Sequence, residues 1–250
     1  MNCSTIRSCA LPCPLSRRQA TASPARRSAI WARSAATSAS GPAAGISAPA
    51  SACCPSTKGT DLVTEGDNRY HAIFGDGAAK FVSASSFGPA LVALGAKVKL
   101  ASAAGTREVD AAKFFVAPAN NDAREIALLP NEILTEIHVP VKAGEKNAAY
   151  EVRQKDAMDW PLAAAAVTLT MKGSTVASAN IVLGHVGPTP YWAEKASSML
   201  AGKTITEETA EAAGKAAVEG AKPLSHNTYK VQLASVAVKR ALLAAAGVKS

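Results

Sequence analysis

Two β-prone stretches around a short turn place the strongest constraint on how this chain folds. Residues 163–171 (AAAAVTLTM) and 176–183 (VASANIVL) flank a Lys-Gly-Ser sequence at 172–174. Two such stretches joined by a glycine-containing turn are typical of a β-hairpin. A further strand is predicted at 149–153. The sequence therefore predicts a three-stranded antiparallel sheet.

Helices are predicted after this sheet. The pattern indicates helices over 192–200, 206–218 and 229–245, and Thr206 suits the N-cap of the second one. The third predicted helix carries an apolar stripe, which we expect to lie in the core. The stripe consists of Val231, Ala234, Val238, Ala241 and Leu242. Together, the sheet and the helices on one of its faces predict a C-terminal α+β domain.

A smaller α+β lobe is predicted before the hairpin. Its elements are a helix at 88–95 with Ser85 or Ser86 as N-cap, a strand at 97–100 and a strand that ends at Pro140. The polar run at 141–147 is predicted to be the linker between the two units.

The first sixty residues differ from the rest of the chain in charge and cysteine content. They hold seven basic residues, no Asp or Glu, and all five cysteines. They account for +7 of the formal net charge of +8, so the remainder is nearly neutral and its charge does not indicate nucleic-acid binding. No apolar run reaches the roughly 18 residues of a membrane span, so we expect neither a membrane nor a nucleic acid as partner.

Three interpretations of this tract stay open: a transit peptide, a basic disordered tail, and a stretch translated out of frame. Permitted codons for residues 25–37, read one base earlier, can encode PQIRNLGTLGGN. A Gly-Gly-Asn turn would then stand where Ala35, Ala36 and Thr37 are found. We expect residues 1–57 to be disordered or out of frame, with the frame restored near residues 56–58.

Three longer strings carry a resemblance to a known family. They are NRYHAIFG at 68–75, DAMDWPLAAAAV at 156–167 and NTYKVQLASVAVKRAL at 227–242. PNEILTEIHVP at 130–140 and LGHVGPTP at 183–190 agree with them. The chain resembles the FAD-binding (medium) subunit of molybdenum hydroxylases, the family of xanthine dehydrogenase, aldehyde oxidoreductase and carbon monoxide dehydrogenase.

The resemblance implies a division into domains and a function. Residues 58–144 would be the remnant of the second lobe of an FAD-binding domain, with the first lobe preceding Met1, and residues 148–248 the C-terminal α+β domain. The subunit would bind FAD and pass electrons from iron–sulfur clusters to an acceptor such as NAD. A small iron–sulfur subunit and a large molybdopterin subunit would be its partners. On its own the chain would be an inactive part of an oxidoreductase, cytoplasmic by default, with a periplasmic location as the alternative.

An alternative function is a non-catalytic docking module of the same complex that no longer binds FAD. Either way, the resemblance implies no catalytic residue, because the cofactor carries out the chemistry. No metal site is expected either, since none of the four histidines has another at i+4.

Only three residues are candidates for contact with the cofactor. Ser86 stands where family members usually place an Asp close to the flavin, and Leu134 matches a family leucine that packs near it. His71 either lines the flavin site or is a hydrogen-bonded structural residue. Glu151 lies where a family lysine is common, and Asp156 and Asp159 are expected in turns and caps.

Overall fold

The computed structural model describes residues 56–57, 60–120, 123–155 and 159–248. Except for its last two residues, the tract predicted to be disordered or out of frame lies outside these ranges, as does Asp156. The described part opens with strands β1 (Ser56–Thr57) and β2 (Thr60–Asp61), which pair antiparallel, followed by a short helix α1 (Leu62–Glu65).

The first unit is a three-stranded antiparallel sheet with two short helices. Its elements are α2 (Gly88–Ala93), β3 (Lys97–Ser102), β4 (Gly105–Asp110), α3 (Ala111–Phe114) and β5 (Ile133–His138). The strand order is β4-β3-β5, with β3 in the centre. Val98, Leu100, Phe114 and Ile137 form its core, each at most 1% exposed. The predicted strands and the helix at the start of the lobe are confirmed.

The second unit is a four-stranded antiparallel sheet followed by three helices. Its elements are β6 (Glu145–Val152), β7 (Ala163–Lys172), β8 (Thr175–Gly184), β9 (Tyr191–Trp192), α4 (Glu194–Met199), α5 (Glu207–Ala217) and α6 (Tyr229–Ala246). The strand order follows the chain, and β7 and β8 form the predicted hairpin.

Two details of the sequence prediction were wrong. The linker at 141–147 is too long, because β6 begins at Glu145 and pairs with Thr170 of β7. Its charged residues lie on an edge strand, where polar side chains reach solvent. The sheet also has four strands and not three. Trp192, predicted to begin a helix, belongs to β9, and this two-residue strand depends on pairing with Val182 and Leu183 of β8.

The helix ends follow the expected local chemistry. The Thr206 hydroxyl accepts a hydrogen bond from the Thr209 amide (3.3 Å) at the start of α5. Helix α6 ends at Gly247, whose φ of +78° is left-handed. None of the helices described above is both long enough and apolar enough to cross a lipid bilayer.

Both faces of the second sheet are buried. Ala165, Val167 and Leu183 pack in the core formed with α4, α5 and α6. Ala166 and Val182, on the opposite face, pack in the core of the first unit beside α2. The run AAAAV therefore shows no alternation of polar and apolar residues, because β7 is covered on both sides.

Small residues let α2 approach this sheet closely. A Cβ placed on Gly184 would lie 2.4 Å from Cγ of Pro89 in α2, and one placed on Gly88 would lie 2.9 Å from the Phe115 ring. The Asn180 side chain donates a hydrogen bond to the Ala93 carbonyl (3.0 Å) at the other end of the helix. The two units are thus joined by direct packing of α2 on β7 and β8.

Candidate functional site

A turn at residues 185–187, here called the acceptor turn, binds a segment that lies more than a hundred residues earlier in the chain. Its carbonyls point towards residues 73–83 and accept hydrogen bonds from their amides. These bonds run from Ile73 and Phe74 to Val186 (2.8 and 3.0 Å) and from Ser83 to Gly187 (2.9 Å). The strings NRYHAIFG and LGHVGPTP, which are distant in sequence, therefore meet in space.

Lys230 of α6 joins the acceptor turn to Tyr70 and His71, and these contacts are here called the junction. It is 1% exposed, and its ammonium donates to the carbonyls of Tyr70 (3.2 Å), His71 (3.0 Å) and His185 (2.8 Å). Burial lowers the pKa of Lys230 to about 7. Three acceptors match the three N–H groups of an ammonium, so this geometry favours the charged form against the effect of burial.

His185 adopts a backbone conformation that is unusual for its residue type. Its φ is +59°, and its side chain is 2% exposed. Left-handed backbone at a non-glycine residue costs free energy and persists only where the surroundings enforce it. Burial, followed by the positive charges of Lys230 and Arg153, lowers the pKa of His185 to about 4. The imidazole is therefore neutral at pH 7.

Two buried asparagines fix the rest of the junction. The Asn227 amide donates to the carbonyls of His71 (3.1 Å) and Ala72 (3.2 Å). The Asn68 amide donates to the Val63 carbonyl (3.1 Å) and the Ser225 hydroxyl (2.9 Å). Both asparagines therefore satisfy backbone groups that would otherwise be buried at a cost.

His71 belongs to this junction. It is 2% exposed, and its carbonyl accepts from Asn227 and Lys230 of the second unit. Leu134, in contrast, lies on β5 of the first unit, opposite Leu100 of β3. The structure places these two candidate residues in different cores and does not bring them together.

Ser85 and Ser86 have different roles at the start of α2. The N-cap of α2 is Phe87, so the N-cap predicted at Ser85 or Ser86 was wrong. The buried Ser85 hydroxyl nevertheless accepts a hydrogen bond from the amide of Gly88 (3.0 Å), the first residue of the helix. Ser86 is exposed. Its hydroxyl is therefore accessible, between Ser83, which binds the acceptor turn, and the start of α2.

Leu134 is half-buried against the core of the first unit, and the loop before it is held by a charged pair. Glu132 accepts from Arg107 (2.6 and 2.8 Å) and from the Leu129 amide (2.8 Å). These hydrogen bonds, first that of Arg107, lower the pKa of Glu132 to about 2.

The remaining charged residues considered in the sequence have structural roles. His138 lies between Glu108 (3.1 Å) and Glu136 (2.6 Å) on an exposed sheet face, Asp159 accepts from the Lys155 and Trp160 amides, and Glu151 pairs with Arg153. No group of three or more His, Cys, Asp or Glu among the described residues is arranged to hold a metal ion.

A small cavity of about 120 Å³ opens beside the junction. Its lining includes Phe74, Lys80 and Leu224, and the Asp76–Lys222 ion pair (2.5 Å) lies along it. Cofactor sites usually occupy roughly 300–1,000 Å³. This cavity is therefore too small for a dinucleotide.

Ser86 and Leu134 suit the edge of the flavin ring system. Ser86 offers an accessible hydroxyl and Leu134 a partly exposed apolar surface, as the edge of a ring system needs. A pyrophosphate needs backbone amides brought close together by a glycine turn. The Gly-Gly-Asn turn of the alternative reading frame falls at positions outside the described residues.

Lys230 is the residue of this site that the sequence interpretation missed. A lysine near a helix start is normally a surface residue. A signal was present, however, because Lys230 lies four residues before Ala234 and seven before Ala237, both fully buried. A charged residue on the buried stripe of a helix indicates a buried partner for its charge.

Two family descriptions match the chain. The "FAD binding domain in molybdopterin dehydrogenase" matches residues 69–142, and the "CO dehydrogenase flavoprotein C-terminal domain" matches residues 148–245. Their boundary falls between the two units of the structure. Both candidate residues on the first unit, Ser86 and Leu134, lie within the first match.

Relatives of known activity are similar over part of their length. The carbon monoxide dehydrogenase medium chain of Afipia carboxidovorans is 31% identical over 188 residues, which are 72% of this chain and 62% of the relative. The glyceraldehyde dehydrogenase medium chain of Sulfolobus acidocaldarius is 31% identical over 125 residues, 50% of this chain and 42% of the relative. The chain thus spans less than two thirds of the length of each of these relatives.

Solved structures agree with these matches. Quinoline 2-oxidoreductase from Pseudomonas putida superposes with a TM-score of 0.58 at 31% identity, covering 65% of this chain and 56% of the other. A carbon monoxide dehydrogenase from Hydrogenophaga pseudoflava superposes with a TM-score of 0.57 at 34% identity, covering 64% and 56%.

Proposed function

We propose that this chain, which belongs to the family of FAD-binding (medium) subunits of molybdenum hydroxylases, contributes the edge of a flavin site where Ser86 and Leu134 lie. The observation that carries the proposal is the position of these two residues. Both lie in the unit matched by the FAD-binding domain, and both keep accessible surface there.

The chain's own residues would bind and orient the cofactor and would not react. FAD, when bound, accepts electrons one or two at a time and passes them on. The Ser86 hydroxyl would donate or accept a hydrogen bond at the flavin edge but, unlike the family Asp, would add no charge. Leu134 would exclude water from that edge. The Arg107–Glu132 pair would hold the loop that precedes Leu134.

The partners follow from the family. We propose that a small iron–sulfur subunit delivers electrons and that a large molybdopterin subunit oxidises the substrate. The acceptor would be NAD or another soluble oxidant, as in xanthine dehydrogenase-type complexes. A chain without these partners would show no substrate oxidation.

A second function is favoured by the packing of the C-terminal unit. The C-terminal unit has a complete core, and α2 packs on it directly. The chain would then dock onto the partner subunits as a non-catalytic assembly module and bind no FAD.

Visible absorbance of the purified full-length chain separates the two functions. After incubation with FAD and gel filtration, a flavin-binding subunit retains the yellow cofactor, whereas a docking module elutes colourless. A colourless chain that still co-elutes with the two partner subunits would support the docking module and refute flavin binding.

Matched variants test the two proposed contacts. We expect Ser86→Ala and Leu134→Ala to weaken FAD binding by roughly five- to tenfold each, the effect of about one hydrogen bond or a partly buried side chain. The controls are Ser178→Ala on an exposed part of β8 and Ile133→Ala, which is 66% exposed beside Leu134. Equal effects in variants and controls would exclude contact with the flavin.

A further inference from the structure

We propose that Lys230 is a positioning residue, which holds residues 70–88 against the second unit and so fixes where Ser86 stands. The role of Ser86 at the flavin rests on the function proposed above. The positioning itself concerns only this chain and is testable without the cofactor.

The first step is the junction beneath the segment. Lys230 donates to the carbonyls of Tyr70 and His71 on one side and His185 on the other (3.2, 3.0 and 2.8 Å). It is thereby a cross-link between the segment and the acceptor turn. Since the bonds to His71 and His185 are buried, water cannot replace them if the lysine is removed.

The second step is the left-handed residue of the acceptor turn. With φ at +59°, His185 turns its carbonyl towards Lys230, and the next two carbonyls face the segment. Such a conformation is unfavourable by itself and needs stabilising contacts. The bond from Lys230 supplies one of them.

Two hydrogen bonds, one on each side of Ser86, fix its backbone relative to the acceptor turn. The Gly187 carbonyl accepts from the Ser83 amide (2.9 Å), and the Ser85 hydroxyl accepts from the Gly88 amide (3.0 Å). Ser86 lies between these two anchored points. Loss of the turn's geometry would release the first anchor and let the start of α2 move.

Amide hydrogen exchange of the full chain without added flavin tests this directly. In Lys230→Met, which keeps the length of the side chain but removes its three donors, we expect exchange at Ile73, Phe74 and Ser83 to rise about tenfold or more, the equivalent of one lost hydrogen bond. A smaller rise is expected at Gly88. Exchange within β7 should rise less than at these amides, since its ladder does not involve Lys230, and any rise there measures the loss of global stability.

Two further variants keep the test valid. Lys239→Met removes a partly exposed lysine from the same helix, one that pairs with Glu207 and Glu211, and should leave these amides unchanged. Lys230→Gln retains two N–H donors and should raise exchange at these amides less than Lys230→Met does. It also replaces Lys230→Met in the test if that variant does not fold. Unchanged exchange at Ile73 and Ser83 in both Lys230 variants would overturn the proposal.

Flavin binding separates this inference from the proposed function. If the wild-type chain binds FAD, Lys230→Met should weaken that binding by about tenfold. A FAD affinity that stays constant while Ser83 and Gly88 exchange faster would overturn the link to Ser86. If the wild-type chain binds no FAD, the proposed function fails, and the exchange result alone still decides whether Lys230 positions the segment.

Discussion

The two sheets of this molecule are covered in different ways. The first sheet has one apolar face and one exposed face bearing Lys99, Glu108, Glu136 and His138. The second is buried on both faces, by its own helices and by α2 of the first unit. The first unit is thus stabilised by contact with the second, while the residues proposed to meet the flavin lie on the less buried of the two.

The difference concerns the kind of contact as well as its extent. Exposed ion pairs contribute little to the free energy of unfolding, because water solvates the separated charges. Buried apolar residues and satisfied buried polar groups contribute far more. We therefore expect substitutions of buried residues in the second unit to destabilise the whole chain, and those on the charged face of the first to have small effects.

The largest effect is expected in the core of the second unit. Leu183→Ala removes a fully buried side chain from β8 and should lower the free energy of unfolding by about 2–5 kcal/mol. Because α2 of the first unit packs against β8, both units should unfold in one transition. Urea denaturation measures this. Ile133→Ala, on the exposed side of β5, is the control. A separate unfolding transition of the first unit would show that the second unit does not stabilise it.

His185 should make the junction sensitive to acid. A buried neutral histidine with its pKa lowered to about 4 contributes stability that is fully present above its unfolded pKa of 6.5 and is lost as the pH falls towards 4. The groups whose charge acts on it are Lys230 and Arg153. The loss amounts to about 3 kcal/mol at most.

Urea midpoints between pH 7.5 and 4 measure this loss. His185→Asn, which accepts the left-handed backbone but does not titrate, should show a flatter pH profile than the wild type. The exposed His138→Asn serves as the matched histidine control. Parallel profiles for wild type and His185→Asn would show that another group causes the acid sensitivity.

Contact between the two units is tested by Gly184→Ala. The added Cβ would lie 2.4 Å from Cγ of Pro89, so α2 must shift, at a cost of about 1–3 kcal/mol. Thermal unfolding measures this cost. Gly77→Ala, where the nearest atom is 4.0 Å away, provides the control. Equal stability of the two variants would mean that α2 adapts freely to the sheet.

The smallest effect is expected at the Arg107–Glu132 pair. Glu132→Gln should lower the melting temperature at pH 7 by roughly 1–3 °C. Since the pKa of Glu132 is lowered to about 2, its contribution is present above pH 4.5 and disappears as the pH falls towards 2. Variant and wild type should therefore converge at pH 2. A difference in melting temperature that persists at pH 2, or an equal difference in Glu219→Gln, would point to a cause other than this pair.

Local signals in the sequence were sufficient for much of the fold. The hairpin was predicted because its turn carries the required glycine at 173, with a φ of +65°. Helix α6 was predicted because its buried stripe repeats at helical spacing. The α+β class and the two units followed from these elements, and both rest on residues that are neighbours along the chain.

Features that depend on distant residues, or on too few residues to form a pattern, could not be predicted in the same way. Strand β9 is only two residues long and exists through its pairing with Val182 and Leu183. The buried Lys230 finds its acceptors 45 and about 160 residues away. Ser86 and Leu134 were proposed from resemblance, since a lone serine and a lone leucine carry no chemical signal of their own.

The junction at Lys230 also bears on how the chain folds as it is synthesised. Asn68, Tyr70 and His71 find their partners at Ser225 and Lys230, 157 to 160 residues later in the chain. A ribosome makes these residues first, so they must wait until α6 has emerged before their contacts can form. Residues 68–71 should therefore dock last, and a stall in translation before residue 230 would leave them exposed to proteases and chaperones.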